Sequence, residues 1–175
     1  MPVINATAVD VRLTVGEPQR VRVRAGKKVI DDVRTEVRDG TLHIAFDHHG
    51  WGGSDVVVEA SVPRLTAIQA DGSGDVEATG IDADAFEVRS QGSADIAVAG
   101  RADRLTLDHD GSGDADASSL EARDARVSSD GSGNVELRAD RLDVSVDGSG
   151  DVRYHGHPQL TRQRVDGSGD LEPVD

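Results

Sequence analysis

The sequence predicts an all-β fold, a right-handed parallel β-solenoid (β-helix) of about six rungs of ~19 residues with an N-terminal β cap. A rung is one coil of the chain around the solenoid. Three observations predict this fold. A Gly-Ser-Gly-Asp motif recurs at nearly constant spacing, apolar residues alternate with polar ones on both sides of it, and Val outnumbers Leu by 23 to 10. Strands favour β-branched residues and bury alternate side chains. The right-handedness rests only on the general preference for right-handed crossovers.

The repeat defines the predicted rungs. Four exact copies and two variants, Gly92-Ser-Ala-Asp95 and Gly131-Ser-Gly-Asn134, place their first glycine at residues 72, 92, 111, 131, 148 and 167, so the spacings are 20, 19, 20, 17 and 19. This period is too short for a propeller blade of about 40–45 residues. Each rung is predicted to contain a strand, a tight turn at the glycines, a second strand and a short return. Apolar columns flank the turn, four positions before the first glycine (Ile68, Val88, Leu107, Val127, Val144) and four after it (Val76, Ile96, Ala115, Val135, Val152, Leu171).

The first 62 residues lack the motif but keep the alternation. Asp39-Gly40 separates two alternating runs, which predicts a hairpin with a two-residue type I′ turn. We expect antiparallel strands or irregular rungs here, capping the first end of the stack, because an open end exposes core and backbone edges. The chain is therefore predicted to be a single elongated domain, 1–175, with a cap over 1–62 and the repeat solenoid over 63–175.

Acidic charge is concentrated in the repeats. The net charge is −14, of which residues 1–60 carry −1 and the rest −13, and Asp outnumbers Glu by 25 to 8. Asp is a turn residue, so we interpret each repeated Asp as accepting backbone N–H groups within its own glycine turn. The acidic balance predicts no nucleic-acid partner, despite a basic strip at Arg20, Arg22 and Arg24. No apolar run approaches the ~20 residues of a membrane span, so membrane insertion is not expected.

The stacked carboxylates suggest an alternative role as a cation ladder. Carboxylate oxygens are ligands for Ca²⁺, although no cofactor is required by the motif. The segment nearest to a calcium loop, 108–116, is followed by Ser119 where an EF-hand has its bidentate Glu. The candidate ladder comprises Asp71, Asp75, Asp95, Asp108, Asp110, Asp114, Asp116, Asp151 and Asp170.

One loop has unusual content, His48-His49-Gly50-Trp51. It is interpreted either as a turn whose Trp51 packs over the end of the solenoid or as a ligand-contacting loop with His48, His49 and Trp51 as candidate binding residues. A single Trp often anchors recognition.

Catalytic motifs are missing from the sequence. It contains no Gly-x-Ser-x-Gly elbow, phosphate loop or His-Glu-x-x-His, so no catalytic residues are predicted. Paired carboxylates keep one enzyme alternative open, a polysaccharide lyase or glycoside hydrolase on a β-helix scaffold. The short uniform rungs and the four aromatic residues argue against a sugar-binding cleft.

The sequence resembles the GIN-domain family. The resemblance rests on Gly16-Glu17, the run 37–44, the segment 56–65 with its Val-Pro-x-Leu ending, and the repeated Gly-Ser-Gly-Asp-Val. Members are described as head domains of auto-transporter adhesins. The resemblance implies a β-helical fold, an extracellular or cell-surface location and a non-catalytic adhesive or scaffolding role. An unknown surface glycan or protein is then the expected partner, with homo-oligomerisation open. The chain opens without a signal peptide, so a cytoplasmic location also stays open.

Overall fold

The structure, a computed structural model, describes residues 2–5 (backbone only), 9–27, 29–46 and 56–174. About two thirds of the described residues lie in strands. The strands are β1 (Pro2–Asn5), β2 (Asp10–Val15), β3 (Arg20–Arg24), β4 (Val33–Arg38), β5 (Thr41–Phe46), β6 (Val57–Val62), β7 (Ala67–Ala70), β8 (Val76–Ser90), β9 (Ile96–His109), β10 (Ala115–Ser129), β11 (Val135–Val146), β12 (Val152–His155), β13 (Gln159–Val165) and β14 (Leu171–Val174). A short 3-10 helix, Ile30–Asp32, precedes β4.

The repeats form stacked parallel rungs, as predicted. Strands β8, β9, β10 and β11 pair in parallel, each with the next. The columns read from the sequence are the paired positions: Val88 pairs with Leu107, which pairs with Val127. The all-β solenoid is thus confirmed with its register, whereas its handedness stays a prediction.

The core is a thin aliphatic cylinder inside the rungs. The column four positions before the first glycine is at most 2% exposed from Ile68 to Val144, and the column after the turn is equally buried from Val76 to Val152. Polar residues alternate with these on the outer face. Because a rung cannot bury its apolar face alone, the stacking of neighbours supplies the hydrophobic stabilisation.

The N-terminal segment enters the stack out of chain order. Strand β1 pairs in parallel with both β5 and β7, and β2 pairs in parallel with both β6 and β8. Strands β1 and β2 therefore occupy inner positions, between strands that come later in the chain. The chain continues through β3 and β4 and returns as β5 and β6, on the side of β1 and β2 away from β7 and β8. Strands β3 and β4 run antiparallel to β6 and β5. Of the two alternatives for residues 1–62, antiparallel strands and irregular rungs, the segment contains both.

The predicted hairpin between β4 and β5 is confirmed. Asp39 and Gly40 have φ angles of +50° and +74°, the left-handed values that both central residues of a type I′ turn adopt. Within the described part of the chain, no helix has the length and apolar character needed to span a bilayer.

Candidate functional site

The glycine turns stack so closely that a side chain has no room. A Cβ placed on Gly113 would lie 2.2 Å from the Ala94 carbonyl oxygen, and one on Gly133 would lie 1.8 Å from the Gly113 oxygen. Neither glycine has a positive φ, so steric contact with the preceding rung, rather than backbone conformation, requires glycine here. The turns form one flat face of the solenoid, which we call the turn face.

Beside the second glycine, carboxylates connect successive rungs. The Asp95 Oδ1 atom accepts the backbone N–H of Asp114 at 2.7 Å, and Asp114 Oδ1 accepts that of Asn134 at 2.7 Å. The same bond recurs four times, with the backbone N–H of the later residue donating to Oδ1 of the earlier one: Asp75 to Asp10, Asp95 to Asp75, Asp151 to Asn134 and Asp170 to Asp151. For this column the interpretation that Asp accepts N–H groups within its own turn is therefore wrong: the acceptor serves the next rung. We call this column the Asp ladder.

Asn134 interrupts the charges of the Asp ladder without interrupting its bonds. Its amide oxygen accepts the Asp151 N–H at 3.1 Å, and its amide nitrogen lies 3.3 Å from Asp114 Oδ1. Like charges about 4.8 Å apart repel by about 1 kcal/mol in water. An amide at this position keeps the acceptor and removes one charge from the run.

A second acidic column stands before the first glycine. There, burial raises the pKa of Asp130, and the carboxylates of Asp110 and Asp147 on the neighbouring rungs raise it further, with a smaller contribution from Asp108. The carboxylates of the neighbouring rungs thus act on Asp130 along this column.

The candidate cation residues do not converge. Asp75, Asp95, Asp114, Asp151 and Asp170 belong to the Asp ladder, with Oδ1 of the first four already bound to backbone N–H groups. Asp71 and Asp110 stand before the first glycine, Asp116 accepts the Ser118 N–H at 2.8 Å, and Asp108 lies 3.7 Å from Arg89. Among the described residues, no three carboxylates or imidazoles are placed to hold a metal ion.

Calcium binding stays a prediction, and we expect it to be weak or absent. Because the ladder oxygens are engaged, millimolar Ca²⁺ should shift the melting temperature no more than NaCl of equal ionic strength, as measured by circular dichroism. A saturable rise specific to Ca²⁺, lost in Asp110→Asn, would contradict this expectation.

The loop residues His48, His49 and Trp51 lie outside the described residues. Their proposed role in ligand contact stays a prediction.

Sequence reasoning missed a polar column inside the core. Ser90, His109 and Ser129 are 1%, 0% and 0% exposed, and they occupy equivalent positions on three adjacent rungs. Both Oγ atoms and both imidazole nitrogens lack a hydrogen-bond partner. The signal was available, since these residues lie two positions before the first glycine and so share the inward face with Val88, Leu107 and Val127.

Burial lowers the pKa of His109. The carboxylates of Asp114 and Asp110 and the Gly113 backbone favour the charged imidazolium, but desolvation outweighs them, so the ring is neutral near pH 7. The Gly113 backbone lies near the ring, yet neither ring nitrogen reaches it with hydrogen-bond geometry.

Acid should therefore destabilise the protein through His109. In the unfolded chain His titrates near about 6.5, so the unfolded state binds more protons below that pH and the free energy of unfolding falls. We expect a loss of at most about 1.4 kcal/mol per pH unit below about 6.5. Urea unfolding between pH 7 and 5 should show this loss in the wild type and a smaller one in His109→Val. Equal pH dependence in both would contradict the assignment.

A second surface lies on the return part of the rungs. Two contiguous depressions of about 570 and 500 Å³ share Arg101 and Asp103 and run along the solenoid axis. We call them the axial groove. Its floor is the backbone at a column of alanines, Ala83, Ala102, Ala122 and Ala139, paired from rung to rung.

One wall of the axial groove carries charges that alternate in sign, and the other carries both signs. On one side Asp82, Arg101, Glu121 and Arg138 follow each other on successive rungs. On the other side Arg123 lies 3.2 Å from Asp103. The Asp103 and Glu121 side chains are 48% and 67% exposed and each faces an arginine. The groove thus offers exposed, ion-paired hydrogen-bonding groups. Among the described residues, the groove contains no buried pair of carboxyl groups of the kind that cleaves glycosides.

Comparison with known proteins finds a matching family model and solved structures of similar fold. A family model described as "Putative auto-transporter adhesin, head GIN domain" matches residues 3–158. A crystal structure called a putative adhesin, from Bacteroides fragilis, is 20% identical, with a TM-score of 0.80 over 99% of this chain and 91% of that one.

Two structures from Parabacteroides distasonis match less closely in fold. One, called a putative lipid binding protein, is 21% identical with a TM-score of 0.54 over 99% of this chain and 92% of that one. The other, called a putative adhesin, is 21% identical with a TM-score of 0.51 over 98% of this chain and 92% of that one. No curated protein matches the chain. At these identities the structural likeness concerns the fold.

Proposed function

Because the chain belongs to the GIN-domain family, whose model describes the head of an auto-transporter adhesin, we propose that it is a non-catalytic binding module of the cell surface. Its partner is a surface glycan that lies extended in the axial groove. The location outside the cell is part of the proposal and rests on the family description.

The observation that carries the proposal is the axial groove itself. It crosses several rungs in register, and because the charges on one wall alternate from rung to rung, like charges there recur every second rung, about 9.6 Å apart. A repetitive polymer can meet equivalent groups along such a surface. The opposite charges nearly balance, with four arginines and five acids lining the two depressions, which suits an uncharged polyol.

The enzyme alternative, a lyase or glycoside hydrolase, has less support. A general acid in glycoside cleavage needs a raised pKa, which usually comes from burial. Asp130, which has a raised pKa, lies on the turn face among other carboxylates, away from the groove.

A glycan array and whole-cell binding assay, each with and without Ca²⁺, tests the proposal. The informative variant exchanges the charges of one groove ion pair, Arg123→Asp with Asp103→Arg, which preserves net charge while reversing the groove pattern. The matched control exchanges Arg12 and Glu77, a pair 3.8 Å apart and about equally exposed on another face.

We expect the groove exchange to lower glycan binding at least tenfold and the control to leave it unchanged. Equal binding by both variants would exclude the axial groove as the site. Glycan cleavage, detected as new reducing ends, would overturn the non-catalytic assignment. Binding to protein-coated but not glycan-coated surfaces would replace the glycan by a protein partner.

A further inference from the structure

The buried column of Ser90, His109 and Ser129 contains polar atoms in an otherwise apolar core. The column continues into Ala70 on one side and Val146 on the other, both 0% exposed. The polar segment is therefore closed at both ends by apolar side chains. It is also independent of the axial groove and of the function proposed for it.

Four polar atoms without partners are costly. A buried donor or acceptor left unsatisfied costs about 1–3 kcal/mol. The penalty for Ser90 Oγ, Ser129 Oγ and the two nitrogens of His109 would be a large part of the stability of a domain. Such groups in native proteins normally bind ordered water.

The three side chains are not hydrogen-bonded to one another, since all four of their polar atoms lack a partner. The rungs that carry them are about 4.8 Å apart. A water with two bonds of about 2.8 Å spans that gap at an angle of about 118°, close to tetrahedral.

The chemistry of the three side chains is complementary to such bridges. A neutral imidazole donates from one nitrogen and accepts at the other, and each serine hydroxyl can do both. The lowered pKa of His109 agrees with a neutral ring. Glycine turns border the column: a Cβ on Gly111 would come within 3.3 Å of Ser90 Oγ, and one on Gly133 within 2.7 Å of His109 Nε2.

We propose that the column is an internal hydration site, with one ordered water between Ser90 and His109 and another between His109 and Ser129. The ligand is water rather than a cation, because the site offers one imidazole and two hydroxyls and no carboxylate among its unpartnered groups.

A crystal structure at atomic resolution tests the proposal directly. We expect two density peaks at hydrogen-bond distance from the imidazole and one serine each. Ser90→Ala should lose the first peak and keep the second, and Ser129→Ala the reverse. A dry column, or peaks that persist in both variants, would overturn the proposal. A peak with metal-like density, or one that changes with Na⁺ or K⁺, would replace water by a cation.

Solution measurements supply a second readout that does not depend on crystals. Cross-relaxation between water and the His109 ring protons should appear in the wild type and weaken in the Ser90→Ala/Ser129→Ala double variant. His109→Val, which copies Val146, should melt at the same or a higher temperature. A strongly lowered melting temperature together with absent cross-relaxation would indicate that the imidazole packs dry, against the proposal.

Discussion

Gly133→Ala should destabilise the solenoid by about 3 kcal/mol or more, because overpacking against backbone cannot be relieved by rotating a side chain. The new methyl group would start 1.8 Å from the Gly113 carbonyl oxygen and 2.7 Å from His109 Nε2. The two rungs would have to separate locally, which breaks the bond from the Gly133 N–H to the Gly111 oxygen and those beside it. In a protein of this size the melting temperature should fall by roughly 6–12 °C.

Gly26→Ala is the matched control for this prediction. A Cβ there would meet only Val29 Cγ2 at 4.0 Å, and the residue has no positive φ. It should leave the melting temperature almost unchanged or raise it slightly, since alanine restricts the unfolded chain. Equal melting temperatures for Gly133→Ala and the wild type, by circular dichroism, would show that the rungs stack more loosely than described.

This contrast also explains why the turn was only partly predictable. Six recurrences of the turn motif, five of them with two glycines, identify the rungs and their register, because equal spacing stacks equal positions. Glycines in a turn suggest that the backbone adopts a conformation that other residues disfavour. At Gly113 and Gly133 the requirement is instead steric, because the preceding rung leaves no space for a Cβ atom. A contact between residues 20 apart in sequence is invisible until the stack exists.

The order of the first rungs could not be read from the sequence for a similar reason. Alternation assigns β1, β2, β5 and β6 as strands, but it carries no information about which strand pairs with which. The insertion of β1 and β2 between later strands is decided by long-range pairing. His109 is the opposite case, since its inward position follows from the alternation alone, although an aspartate flanks it on either side.

The Asp ladder gives the second large effect, in which two substitutions at one position should act in opposite directions. Asp114→Ala removes the acceptor of the Asn134 N–H at 2.7 Å and should cost about 1–2 kcal/mol, as expected for a hydrogen bond to a charged group. Asp114→Asn keeps an acceptor and ends the run of charges from Asp75 through Asp95, as Asn134 already does one rung further. It should be neutral or stabilising by up to about 1 kcal/mol at low salt.

Urea unfolding at low and high NaCl separates the two contributions. The loss in Asp114→Ala should persist at high salt, because the hydrogen bond is short-ranged, whereas any gain in Asp114→Asn should shrink as salt screens the neighbouring carboxylates. Asp116→Ala serves as the control, since the Asp116 carboxylate accepts the Ser118 N–H within its own rung and links no two rungs. If the Asp114→Ala and Asp114→Asn variants were equally stable, the hydrogen bond from the Asn134 N–H to residue 114 would not stabilise the stacking of the rungs. The recurrence of Asp in the ladder would then reflect only the sequence of the turn.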